Sequence, residues 1–178
     1  AAPTGDKYIG GNPSDATSTW RGRIDELSLY NKALAAAALQ QLAAGSTCAM
    51  DGMSWATAFR WLTCGIAEAP GNSEVWIARG LYVPGILRDH TFQARNYVDL
   101  YGGFVGNETT RAQRPAFVAP ATVTVDPAQY TVLSGDLLGN DDPATFANYE
   151  DNSRHVLTGS GVAMLTRLDG LVFIGGNA

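Results

Sequence analysis

A mainly β chain built as a solenoid, with strand-and-turn units stacked on one another, is the fold class the sequence predicts. Its first basis is a recurring signature. The runs VWIARG (Val75–Gly80), VDLYGG (Val98–Gly103), TVLSGD (Thr131–Asp136), HVLTGS (His155–Ser160) and LVFIGG (Leu171–Gly176) can be set in register. Their third position is always apolar: Ile77, Leu100, Leu133, Leu157 and Phe173. Glycine follows two residues later in all but the first, at Gly102, Gly135, Gly159 and Gly175. The second basis is the irregular spacing of these runs, which a solenoid tolerates because loops of any length can bulge from its corners. The third is composition: 46% apolar residues, only 16% charged and 20 glycines suit a turn-rich β protein better than a helical bundle. A β-sandwich also gives short strands with glycine turns and stays open as an alternative.

Taken in order, the elements begin with Ile24, Leu27, Leu29 and Tyr30, which read as a strand near its end. Residues 33–44 are almost all good helix formers, and Gly45 is a natural stop. One strand and one helix cannot bury a core alone. A second helix is expected near 54–69: Ser54 is a fitting N-cap, Trp55, Phe59, Leu62 and Ile66 recur at helical spacing, and Pro70-Gly71 ends the pattern. From Glu74 onward only short β-like runs remain. In YVDLYGGFVGNETTR a strand is expected to turn sharply at Gly102-Gly103, with Leu100 filling the interior. A phosphate-binding loop would pass directly into a helix, whereas FVGNETTRAQRP leads into a proline-punctuated stretch. Residues 104–130 then form a bulging loop or an extra coil.

Net charge is −5 with 12 scattered basic residues, so the electrostatic footprint of a nucleic-acid binder is missing. The longest apolar runs are far too short to span a bilayer. Cys48 and Cys64 form a local pair, either a disulfide made in an oxidising compartment or two free thiols. The opening AAPTG reads as a start left by signal removal, or as a cut point.

Two family resemblances refine the picture. GRIDELSLYNKAL, Gly22 to Leu34, resembles the end of a laminin-G-like (concanavalin-A-like) jelly roll, and KYIGG resembles the strand before it. It departs from that pattern at Ala35–Ala38, where a Ser and a Glu usually open the helix. From Asp51 onward, DGMSWATAF, VWIARGLYVP, LYGGFVGNET, LSGDLLGND, DNSRHVLTG and LDGLVFIGG resemble the start of a right-handed parallel β-helix (pectin-lyase-like) in large bacterial surface proteins. The resemblance implies that residues 1–46 are the C-terminal piece of a jelly roll. Residues 47–178 would then be the first coils of a β-helix, capped by the 54–69 helix so that no strand edge is left open. The chain is thus expected to begin inside one domain and to stop within another.

The densest acidic stretch is GDLLGNDDPATFANYEDNSRH. Asp136, Asn140, Asp141, Asp142, Glu150, Asp151 and Asn152 are hard oxygen donors of the kind calcium uses, and Asp136, Asn140, Asp142 and Asp151 are the calcium candidates. The spacing is not that of an EF-hand, and a solvated connection rich in Asx turns explains the same composition. Lyases of the β-helix kind need acidic metal ligands and a base that takes a proton from a uronate. Arg154, Arg167, His155, Asp136 and Asp169 are available for those roles, although nothing in the sequence ties them together. His90 and His155 are too far apart in sequence to suggest a zinc pair. Trp20, Trp55, Trp61 and Trp76 could stack on sugars if exposed.

The expectation is therefore an extracellular or cell-surface structural or adhesive protein, or a filament subunit, with no catalysis of its own. A carbohydrate-binding or polysaccharide-lyase-like module is the alternative. No cofactor is expected beyond a calcium ion. Expected partners are copies of the chain, neighbouring domains or a surface polysaccharide, with no nucleic acid and no membrane span.

Overall fold

The computed structural model describes residue 48 and residues 50–178 apart from 123, 160 and 163–165, and the backbone of residues 11–12 and 15–19. The chain divides into two compact units, Ala1–Lys32 and Ala33–Ala178. In the first, β1 (Gly11–Asn12) and β2 (Asp15–Thr19) pair antiparallel. The strand and helix expected within residues 24–44, and Trp20, lie outside the described residues.

The second unit is mainly β, and its sheets are parallel. Strands β3 (Ser73–Ala78), β6 (Val98–Phe104) and β9 (Leu168–Asp169) form one sheet. A second contains β4 (Gly80–Tyr82), β7 (Thr131–Ser134) and β10 (Leu171–Ile174), and a third pairs β5 (Phe92–Gln93) with β8 (Leu157–Thr158). The chain therefore visits the three sheets in rotation, and among the described residues no sheet closes into a barrel. β7 is a central strand, and all four of its residues are buried. That two-sided burial is what a parallel sheet demands of its apolar runs.

Rotation changes the meaning of the repeated signature. The five runs do not represent one coil each: β3 and β6 share a sheet, β7 and β10 share another, and β8 belongs to the third. Leu133 pairs with Phe173, but Leu100 pairs with Val75 rather than Ile77, and Leu157 pairs with Phe92. The signature recurs for each strand, because every strand needs an inward apolar residue.

Leu62, Ile66, Ile77, Phe92, Val98, Leu100 and Leu133 form the core cluster. Phe173 and Leu168 occupy corresponding positions, yet they are 42% and 43% exposed, because among the described residues β10 and β9 are edge strands with a neighbour on one side only.

The helix expected near 54–69 is broken in two. Ser54 does cap a turn, its Oγ accepting from the Thr57 backbone N–H at 3.2 Å, but that turn is a 3-10 helix over Trp55–Thr57. Ala58 then takes an extended ψ of 142°. The α-helix α1 covers only Leu62–Glu68, ends at Ala69 before Pro70-Gly71, and sends Leu62 and Ile66 into the core. Trp55 leaves the expected stripe because its ring lies 5.7 Å from Phe104 and its Nε1 donates to the Glu108 carbonyl at 2.9 Å. Cys48 and Cys64 are disulfide-bonded, joining α1 to the segment before it.

The glycines also differ from expectation. β6 does not turn at Gly102-Gly103 but runs through them to Phe104. Trp76 pairs with Tyr101 and Ala78 with Phe104, which leaves one extra residue on β6 as a bulge. Gly103, at φ +90°, supplies the left-handed conformation that the bulge needs. Gly102 and Gly135 have ordinary φ values and are required for a different reason. A Cβ on Gly102 would lie 2.4 Å from the Gly170 carbonyl oxygen, and one on Gly135 would lie 2.3 Å from that of Gly175. They let adjacent backbones approach. Gly159 has neither constraint, its nearest neighbour being Val162 at 3.9 Å. Of the four expected turn glycines only Gly175 has a positive φ, +68°.

Candidate functional site

Alternation along β3 and β6 sends Val75, Val98 and Leu100 inward and Glu74, Trp76, Asp99 and Tyr101 to the outer face. Register then aligns Trp76, Tyr101 and Asp169 in one row across the sheet. The segment after β6 brings arginines over this row. A 3-10 turn, Arg111–Gln113, is held by a capping box between Thr110 and Gln113. Arg111 lies 4.8 Å above the Tyr101 ring, donates to the Tyr101 hydroxyl at 2.8 Å and pairs with Glu74. Arg114 reaches the Gly102 carbonyl at 3.1 Å and Asp169 at 2.7 Å, and Arg167 donates to the Tyr101 hydroxyl at 3.4 Å. Tyr101 is left 2% exposed beneath this roof. Trp76 stacks on Phe104 with ring centroids 4.8 Å apart. The charged groups satisfy one another, so this face clamps β3, β6 and β9 together.

The residues considered for lyase chemistry separate. Arg167 and Asp169 join the outer face, but Arg154 pairs with Asp89 at 2.8 Å, and His155 is exposed. Asp136 serves a turn: its carboxylate accepts from the backbone N–H groups of Gly139, Asn140 and Asp141 at 2.6, 3.1 and 3.0 Å. Of the other calcium candidates, Asp142 accepts from the Thr145 hydroxyl and the Ala144 N–H, which hold its carboxyl below the usual range. The Asn140 carbonyl accepts from Asn148. Asp151 ends a 3-10 turn, Tyr149–Asp151. Asp141 is pushed above the usual carboxylate range by burial and then by the charges of Asp136, Asp151 and Glu150, against the hydrogen bond that Asn152 donates. Among the described residues, no three His, Cys, Asp or Glu side chains come together as a metal cluster.

Glu108 is a feature that composition and spacing do not flag. It is 7% exposed and accepts from the successive N–H groups of Val105, Gly106 and Asn107 at 2.7, 2.9 and 3.1 Å. Such a run of N–H groups is an anion-binding nest. Here the chain's own carboxylate fills it. Burial raises the Glu108 pKa, but the backbone donors outweigh it and the net shift is downward. The one local sequence signal is Gly106, whose φ of +100° shapes the nest.

A shallow groove of about 160 Å³ opens where Arg79, Gly103 and Gly170 meet Phe117 and Tyr130. Phe117 and Tyr130 pack edge to face at 6.2 Å, and the Arg79 Nε is buried without a hydrogen-bond partner. The groove thus sets an aromatic wall beside the Arg79 side chain. Among the described residues no helix is long and apolar enough to cross a membrane. Comparison with protein-family models, with curated proteins and with solved structures gave no match, so function rests on this geometry.

Proposed function

We propose that the chain is a structural or adhesive module of an extracellular or bacterial cell-surface protein, without catalysis of its own. The observation that carries this is the rotation of β3 to β10 through three parallel sheets. That is the strand order of a parallel β-helix, and the strong preference of parallel crossovers for the right hand makes it right-handed. α1 acts as the N-terminal cap, and residues 1–46 are the end of a laminin-G-like jelly roll, on the resemblance of GRIDELSLYNKAL. The work is mechanical: stacked coils share a hydrogen-bond ladder, while edges and loops contact other copies or neighbouring domains. The outer face fits that mechanical role, because Arg111 pairs with Glu74 and Arg114 with Asp169 across the strands of one sheet.

The groove beside Arg79 favours a second reading, a carbohydrate-binding module for an acidic polysaccharide. Aromatic walls take sugar faces, and a guanidinium takes a carboxylate. The purified chain is expected to release no unsaturated uronides from pectin or alginate, and to form oligomers or filaments in sedimentation. Uronide release would overturn the non-catalytic reading. A monomer retarded in gels containing acidic polysaccharide, with retardation lost in Arg79→Ala, would replace the structural reading with the binding one.

A further inference from the structure

We propose that Asp141, Asp151 and Asn152, with Ser153, form a binding site for one hard divalent cation of the calcium type. Four buried side-chain oxygens here have no hydrogen-bond partner: Asp141 Oδ1, Asp151 Oδ2, Asn152 Oδ1 and Ser153 Oγ. Among the described residues the only other such atom is Arg79 Nε, so the unmet demand is concentrated in this corner. Asn152 and Ser153 are fully buried. Asn152 also touches Asp141, its Nδ2 donating to Asp141 Oδ2 at 2.7 Å. Asp141 and Ser153 both lie beside the close approach of Gly135 to Gly175. A Cβ on Gly175 would lie 3.2 Å from Asp141 Oδ2, and one on Gly135 would lie 2.8 Å from Ser153 Oγ and 2.3 Å from the Gly175 oxygen.

The backbone of this corner is already committed. Arg88 donates to the Asn152 carbonyl at 2.9 Å, the Asn177 N–H to the Ser153 carbonyl at 2.9 Å, and the Ser153 N–H to the Gly135 carbonyl at 2.8 Å. The side-chain oxygens therefore cannot be served by a small shift of neighbouring N–H groups. Asp141 Oδ1, Asp151 Oδ2 and Asn152 Oδ1 only accept when the carboxylates are ionised. A water has two protons to offer and no charge, whereas one cation serves every oxygen and offsets both carboxylates. All-oxygen donors with no Cys or His fit calcium, with waters completing the shell, rather than zinc. Asp136 and Asp142 stand outside the set because their oxygens cap turns. Of the residues singled out from sequence as calcium candidates, Asp151 alone belongs to it.

The test uses the whole chain, stripped with EDTA and titrated with calcium chloride or magnesium chloride at constant ionic strength. Calorimetry should find one calcium site per chain, with Kd on the order of 10⁻⁴–10⁻³ M, as for extracellular calcium modules. Thermal unfolding should shift upward saturably with calcium and less with magnesium. Asp141→Asn and Asp151→Asn should each weaken binding about tenfold or more, and each should raise the melting temperature of the calcium-free chain by relieving repulsion. Asp142→Asn should leave binding unchanged. Failure of the unaltered chain to bind calcium at millimolar concentrations would overturn the proposal whatever the variants do. Equal binding by Asp141→Asn and Asp151→Asn would also overturn it.

Discussion

Replacing Gly135 by alanine puts a methyl group where a neighbouring strand's backbone already stands. Gly135 is buried just after β7, its N–H donating to the Ile174 carbonyl at 2.9 Å and its carbonyl accepting from Ser153 at 2.8 Å. The new Cβ would lie 2.3 Å from the Gly175 oxygen and 2.8 Å from both the Gly175 carbon and Ser153 Oγ. Backbone atoms cannot rotate aside, so β7 and β10 must part. Overpacking of this kind costs about 1–3 kcal/mol. Parting also weakens the hydrogen bond from Gly135 to Ile174, worth about 1 kcal/mol net, for a total of about 2–4 kcal/mol. Gly159→Ala is the matched control: with 3.9 Å of clearance and no left-handed φ, it should be neutral or gain up to about 1 kcal/mol through the unfolded chain. Urea unfolding followed by tryptophan fluorescence measures both. Equal losses in the two variants would refute the close-approach reasoning, since that is what a shared turn-forming role predicts. A neutral Gly135→Ala would refute the strand spacing itself.

The Cys48–Cys64 bond closes a loop of 16 residues, and removing it by Cys48→Ala/Cys64→Ala should cost about 3 kcal/mol in urea unfolding. A reductant should produce the same loss in the unaltered chain and none in the double variant. Glu108→Gln should cost about 1.5–3 kcal/mol at neutral pH, the worth of hydrogen bonds to a charged group. The folded carboxyl titrates below its ordinary value of 4.5. Its contribution is therefore complete above pH 4.5 and lost as pH falls through the folded value. The difference between the two proteins should close under acid, and a difference that persists there would assign the loss to packing instead.

Residues whose role depends on their immediate neighbours are legible in the sequence. Leu100 and Leu133 are readable as core because apolar, β-forming residues flank them, and Ser54 as a cap because it opens a helical pattern. Phe173 carries the same signature and is exposed, because burial at that position depends on what stacks on the far side of β10. The break after Thr57 is hidden for a related reason: the Trp55 contact with Phe104 outweighs local helix propensity. Gly102 and Gly135 stand out in the sequence, but their function is set by Gly170 and Gly175, which are distant in the chain. Composition marks the acidic corner. It cannot show that Asp136 is consumed by three N–H groups while Asn152 keeps an oxygen free.

Parallel pairing gives this molecule an unusual tolerance in its connections. β7 lies between β4 and β10, so its place is set by ladders on both edges and not by the length of the stretch leading to it. Closing a loop costs free energy only as the logarithm of its length, so doubling the segment between Phe104 and Tyr130 would add about 0.6 kcal/mol. The sheets can therefore stay constant while the loops lengthen, shorten or change chemistry. Such a molecule can acquire new surface contacts without redesigning its interior.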